Sequence, residues 1–131
     1  MRVAPNWITE LEPSQVFVFG SNTEGGHWGG AAKIAVQKFG AIMFRPTGIQ
    51  GQSYAIVTKD LRKGNRSVGL DYIKEQVETF KEFAKVHCHL EFLCTRIGCD
   101  LAGFTDAEIA PMFRGIPDNV LLPKEWLTYL K

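Results

Sequence analysis

Residues Gln15-Val16-Phe17-Val18-Phe19 form an almost unbroken run of β-branched and aromatic residues stopped by Gly20, the pattern of a strand buried on both faces. Beyond a glycine-rich stretch, Ala31, Ile34, Ala35 and Lys38 fall at helical spacing, and Gly40 stands where a C-terminal glycine is favoured; this predicts a helix over 31–39 that starts at the glycines. Residues 41–44 and 54–58 read as two further strands, separated by a turn-rich segment with Pro46, Gly48 and Gly51. Residues 61–69 are basic with two glycines and read as an exposed loop. From Leu70 the apolar positions Leu70, Ile73, Val77, Phe80 and Ala84 recur every three or four residues, predicting an amphipathic helix to about Val86. A strand over 90–95, a second glycine-containing loop over 96–104 and a Thr105-x-x-Glu108 capping box follow. The box opens a short helix disturbed at Pro111. Residues 119–122 read as a last short strand and 126–130 as a terminal helical turn.

Strands alternating with helices predict an α/β fold with a mixed, largely parallel sheet covered by helices. In such sheets ligands bind outside the carboxyl ends of the strands. Both glycine-rich loops follow strands, so both are expected to converge on one crevice.

Composition narrows the classes of function. The 131 residues suit a single domain. Fifteen basic against fourteen acidic residues give a net charge of +1, which argues against a nucleic-acid partner bound by bulk charge. The longest apolar runs are about four residues, far short of a membrane span of roughly twenty. Pro5, Asn6 and Trp7 stand where a secretory leader would need an apolar stretch, and Cys88, Cys94 and Cys99 form no disulfide framework; both point to the cytoplasm.

The first loop, Gly20-Ser21-Asn22-Thr23-Glu24-Gly25-Gly26-His27-Trp28-Gly29-Gly30-Ala31, joins a strand to a helix start, where unpaired N–H groups and the helix dipole favour an anion such as phosphate. Ser21, Asn22 and Thr23 add hydroxyl and amide partners suited to a ribose. Gly26 and His27 stand where a Walker loop needs Lys and Ser or Thr, and no G-x-G-x-x-G occurs. The bland alternative is a long turn whose glycines only solve backbone geometry.

The second loop reads Thr95-Arg96-Ile97-Gly98-Cys99-Asp100-Leu101-Ala102-Gly103-Phe104. A strand followed by Arg-Ile-Gly-Cys, a variable residue and Leu-Ala-Gly, then a capped helix, resembles the phosphate loop of macrodomains, notably the branch with a Pro-Arg-Ile-Gly-Cys-Gly-Leu motif. The first loop is similar to the macrodomain segment in which an Asn and a glycine run precede a helix. Residues 52–59, Gln-Ser-Tyr-Ala-Ile-Val-Thr-Lys, resemble the strand that ends in Ile-Thr-Lys in that branch. The three segments occur in family order over residues 16–113, and together resemble small bacterial and phage macro-like proteins.

The resemblance implies a three-layer α/β/α domain over 1–131 that binds ADP-ribose or a related NAD-derived nucleotide, in some members with metal-independent hydrolysis of ADP-ribosyl bonds. No cofactor is implied. Carried over, Asn22 faces the distal ribose, the backbone over 25–30 wraps one phosphate and that over 98–103 the other, with Phe104 near the distal ribose. Asn22, Lys59 and Asp100 are then the candidate catalytic groups. The pattern departs from the family at Asp100, where the motif has Gly, and at Ala102, where the glutamate-deribosylating branch has its catalytic Asp. The acidic residue that reads adenine in many macrodomains has no clear counterpart. Two rivals stand beside this reading: a noncatalytic sensor or sponge for a nucleotide signal, and an interaction protein with a vestigial pocket.

Individual residues carry two readings each. Lys59 is a partner for phosphate or a ribosyl carbon, or a solvated strand end. His27 is an acid, base or phosphate donor, or an exposed loop histidine beside Trp28. Arg96 anchors its loop to a carboxylate or acts on the ligand. Cys99 reads as a buried structural thiol, and Asp106 as a residue favoured by the helix dipole alone. His87-Cys88-His89 lacks the spacing of a metal site, and no metal is expected.

Overall fold

A computed structural model describes residues 2–60, 66–99 and 102–130, with Arg66 and Ser67 described by their backbone. The order is β1 (Gln15–Asn22), α1 (Gly30–Lys38), β2 (Gly48–Gln50), β3 (Ser53–Asp60), β4 (Arg66–Ser67), α2 (Leu70–Val86), β5 (Glu91–Cys94), α3 (Asp106–Ile109), β6 (Val120–Leu121). Short 3-10 helices cover Ala110–Phe113 and Lys124–Tyr129. The strands form one mixed sheet in the order β2-β3-β1-β5-β6, with β4 paired to β3. β3, β1, β5 and β6 run parallel, whereas β2 and β4 run antiparallel to β3. The chain is therefore an α/β protein.

Side-chain alternation along β1 divides the core. Val16 and Val18 point into a cluster with Ile73, Val77, Phe80 and Ala84 of α2 and with Ile109, Phe113 and Trp126. Phe17 and Phe19 point to the opposite face, against Ala32 and Ala35 of α1 and Phe39 at its C-terminal cap. A strand flanked by parallel neighbours and covered on both faces must be apolar at consecutive positions, and Val16 to Phe19 are all at most 3% exposed. The N-terminal segment crosses the α1 face, packing Ala4 and Ile8 beside Leu93 and Leu121. A parallel bridge from Val3 to Leu122 fixes its path.

Helix α2 spans the residues its periodicity predicts: of the five apolar positions that carry the pattern, Ile73, Val77, Phe80 and Ala84 are fully buried and Leu70, at the helix start, is half-buried. Its C-terminus is closed from two sides. The His87 ring stacks on Phe83 at 4.0 Å, and the Asn119 amide donates among the carbonyls of Ala84, His87 and Leu90 at 2.9–3.2 Å. Between β2 and β4, Val57 has no strand partner on that side among the described residues; the Gln76 amide stands in for one, accepting from Val57 N–H and donating to Val57 C=O, both at 2.8 Å.

Three sequence expectations are corrected here. Residues 41–44 are not a strand: Met43 and Phe44 turn, Phe44 at φ +68°, with Phe44 N–H donating to Gly25 C=O. The Gln50 side chain holds this turn, accepting from Ile42 N–H at 2.8 Å and donating to Arg45 C=O at 3.0 Å. The strand of this region falls instead in the glycine-rich stretch, at β2, where Gly40 and Gly51 approach so closely that a Cβ on Gly51 would lie 2.7 Å from Gly40 backbone. Within the predicted loop over 61–69, Arg66 and Ser67 pair with β3; residues 61–65 lie outside the described residues. Strand β1 also continues through Gly20 to Asn22, since Gly20 and Ser21 pair with Ile56 and Val57.

Candidate functional site

The chain leaves β1 toward α1 on one face of the sheet and leaves β5 toward α3 on the other. Adjacent parallel strands whose connections diverge to opposite faces open a crevice at their carboxyl ends. A crevice of about 820 Å³ lies there, within the range of small-molecule sites. Its floor is Gly20, where a Cβ would lie 3.1 Å from Thr58 Oγ1 and 3.7 Å from Gly98 N. Thr95 ties the end of β5 to β1, its N–H and hydroxyl both donating to Val18 C=O.

One wall is the start of α1. Gly29, Gly30, Ala31 and Ala32 all line the crevice. Gly29 is the N-cap residue, no side chain caps the helix, and its first turn holds no acidic residue. The first amides of α1 therefore have no intrahelical acceptor and carry the positive end of the helix dipole. The opposite wall is the turn after β5, with Arg96, Ile97, Gly98, Cys99 and Ala102. Lys59, at the end of β3, also lines the crevice and has no ion-pair partner among the described residues.

Asn22 lines the crevice, but its amide is turned onto its own loop. Its Oδ1 accepts from Gly26 N–H at 2.8 Å and Glu24 N–H at 3.2 Å, and its Nδ2 donates to Gly26 C=O at 2.8 Å. Asn22 thus sets the path of the chain toward α1. Gly25, at φ +69°, lies against Phe44 and Arg45 backbone, where a Cβ would approach to 2.5 Å. The Trp28 ring lies over Gly26 and edge-on to Phe44.

His27 is not the exposed loop residue of one sequence reading. It is 2% exposed and lies under the loop, edge-on to Phe19, with Nε2 at 3.1 Å from Arg45 C=O and Nδ1 without a partner. It is not among the crevice-lining residues. The hydrophobic strand beneath this loop draws the imidazole inward.

Arg96 anchors its loop, as one of its readings expected. Its guanidinium donates to both carboxylate oxygens of Asp106, at 3.1 and 2.6 Å. Asp106 does more than complement a helix dipole: Trp126 Nε1 also donates to it at 2.8 Å, and the Arg96 and Trp126 contacts hold its carboxyl below the usual range against the opposing effect of burial. Cys99 borders this cluster; burial, with the neighbouring Asp106 carboxylate, pushes its thiol up to about 12. It is therefore a protonated thiol at neutral pH and no nucleophile. The capping box of Thr105 and Glu108 is present in both directions.

The structure thus brings Gly20, Ser21, Asn22, Gly26, Gly29, Gly30 and Ala31 together with Lys59, Arg96, Gly98, Cys99 and Ala102. Gly25 and His27 support the first loop from below, and Gly103 stands outside the lining. Phe104 packs beside Gly98 against the α2-side core, its N–H donating to Gly98 C=O at 2.8 Å. Asp100 and Leu101 lie outside the described residues. Sequence reasoning missed Asn6 and Trp7, which line the crevice from the N-terminal segment, and Thr58 and Thr95 at its base. Only the strand-end positions of the two threonines signalled them. Comparison of the chain with protein-family models, curated proteins and solved structures finds no match.

Proposed function

We propose that the chain is a macrodomain-like protein, with helices layered on both faces of its sheet, and that the crevice binds ADP-ribose or a related NAD-derived nucleotide through its diphosphate. The observation that carries this reading is the convergence on one crevice of the uncapped N-terminus of α1, the Arg96–Gly98 turn and the unpaired Lys59. Helix-start amides and the Lys59 ammonium around a glycine floor suit a phosphate-bearing ligand that backbone must approach closely, with Arg96 holding its turn through Asp106. The order of the two loops and of the strand that carries Thr58-Lys59, which resembles that of macrodomains, supplies the choice of ADP-ribose over other phosphates.

Binding is better supported than turnover. Among the described lining residues the ionisable side chains are Lys59, Arg96 and Cys99. Arg96 is committed to Asp106, and the Cys99 thiol stays protonated. Lys59 and the amides of α1 suit an anion, and the protonated Cys99 thiol offers no base at neutral pH. Asp100, the other candidate catalytic group, lies outside the described residues, so the reading is of a nucleotide-binding site. Titration calorimetry with ADP-ribose tests it: one site per chain with affinity that falls as salt rises is expected, and the absence of binding at millimolar ADP-ribose overturns it.

A further inference from the structure

Trp7 lines the crevice while remaining 87% exposed, and the sequence gives no reason for an indole there. Its position is imposed from a distance. Ala4 N–H donates to Leu122 C=O at 2.9 Å, Leu122 N–H to Arg2 C=O at 3.0 Å, and Ile8 packs onto the α1-side core, so the residues between are strung across the mouth of the crevice. Trp7 has no aromatic partner among the described residues and belongs to none of the hydrophobic clusters. Of the other two tryptophans, Trp126 is fully buried against Phe113, whereas Trp28, 60% exposed, also lines the crevice but already lies over Gly26 and edge-on to Phe44. Beside Trp7, Asn6 is exposed and lines the crevice, its side-chain amide making no hydrogen bond among the described residues.

We propose that Trp7 is the stacking platform for the nucleobase of the ligand, with the Asn6 amide at the base edge, so that the N-terminal segment makes this site selective for a nucleotide over a sugar phosphate. The inference rests on the crevice being a nucleotide site and adds where its base is held. An indole face left open to water at the mouth of an anion-binding crevice gains its contact area only when a flat aromatic group lies on it. A side-chain amide presents an N–H donor beside a C=O acceptor, the pair that matches adenine, whose N7 accepts and whose N6–H donates. The phosphate wall and the indole wall then read different parts of one ligand.

Calorimetry with two probes, ADP-ribose and ribose 5-phosphate, on the parent, Trp7→Ala and Trp7→Phe decides the matter. Because Trp7 is nearly fully exposed, neither change should shift the melting temperature appreciably. Trp7→Ala is expected to weaken ADP-ribose about 10- to 100-fold, the effect of removing one base–aromatic stack, with ribose 5-phosphate unchanged and much of the loss recovered in Trp7→Phe. Unchanged ADP-ribose affinity in Trp7→Ala, or an equal loss for both probes, overturns the stacking role while leaving the crevice as the site. If the parent binds neither probe, the nucleotide reading itself fails and the inference falls with it.

Discussion

Placing a carboxylate at Gly29 should raise stability and lower affinity at once. Gly29 is the N-cap of α1 at φ −149° and ψ 166°, extended backbone open to any residue, and a Cβ there meets nothing within 4 Å. In Gly29→Asp the carboxylate can accept from the free amides of the first turn. Replacing a glycine cap with Asp contributes a few tenths of a kcal/mol, and the helix dipole adds about 0.3–1 kcal/mol. For a chain of this length, a gain of about 0.5–1 kcal/mol raises Tm by roughly 2–4 °C. If those same amides hold a phosphate, the ligand now meets a negative charge about 5 Å away. With an effective dielectric between about 20 and 80, the repulsion is ~0.8 to ~3.3 kcal/mol per phosphate charge, a loss of roughly 4- to 250-fold. Gly29→Asn separates the effects, because it caps the helix without adding charge and should lose much less affinity. The assays are a thermal melt and calorimetry with ADP-ribose on all three proteins. A Gly29→Asp variant that is folded, more stable and binds as the parent does would show that no anion sits on the start of α1.

Other outcomes follow from the same contacts. Gln76→Ala should lower the unfolding free energy by about 1–3 kcal/mol in denaturant melts, because it orphans both backbone groups of the buried Val57. Asp106 is held below its ordinary pKa, so its contribution is full above about pH 4 and lost as pH falls through the depressed value. An acid titration should therefore show Asp106→Asn less stable than the parent at pH 7, with the difference shrinking below pH 4. In timed alkylation at pH 7.5 read by mass spectrometry, the exposed Cys88 should be modified well before Cys99, whose thiol is pushed up to about 12, and before the buried Cys94.

What the sequence showed and hid follows from how local each signal is. Helix α2 and strand β1 were legible because their patterns report burial along a single element: Ile73, Val77, Phe80 and Ala84 on one face, Val16 to Phe19 on both. The two loops of the crevice were legible because each follows a strand, so topology alone sends both to the carboxyl ends. Residues 41–44 misled because an apolar run reads as a strand whichever way it turns; what turns it is Gln50, whose side chain bonds to Ile42 and Arg45. His27 looked exposed because it stands in a glycine-rich loop, and its burial against Phe19 depends on how that loop folds back. Asp106 offered only its place at a helix start, while its partners Arg96 and Trp126 lie 10 and 20 residues away. Asn6 and Trp7 reach the crevice only through the pairing of Val3 with Leu122, across almost the whole chain.

The central claim, that nucleotide phosphates sit between the start of α1 and the turn after β5, is tested most directly by titrating ADP-ribose into the isotope-labelled protein and following backbone amide resonances. Saturable shifts concentrated at the amides of Gly29, Gly30, Ala31, Ala32 and Gly98, with Val77 and Phe80 of α2 unmoved, are the predicted result. Amides at both walls that stay fixed at millimolar ADP-ribose, or shifts that map to the opposite end of the sheet, would contradict it.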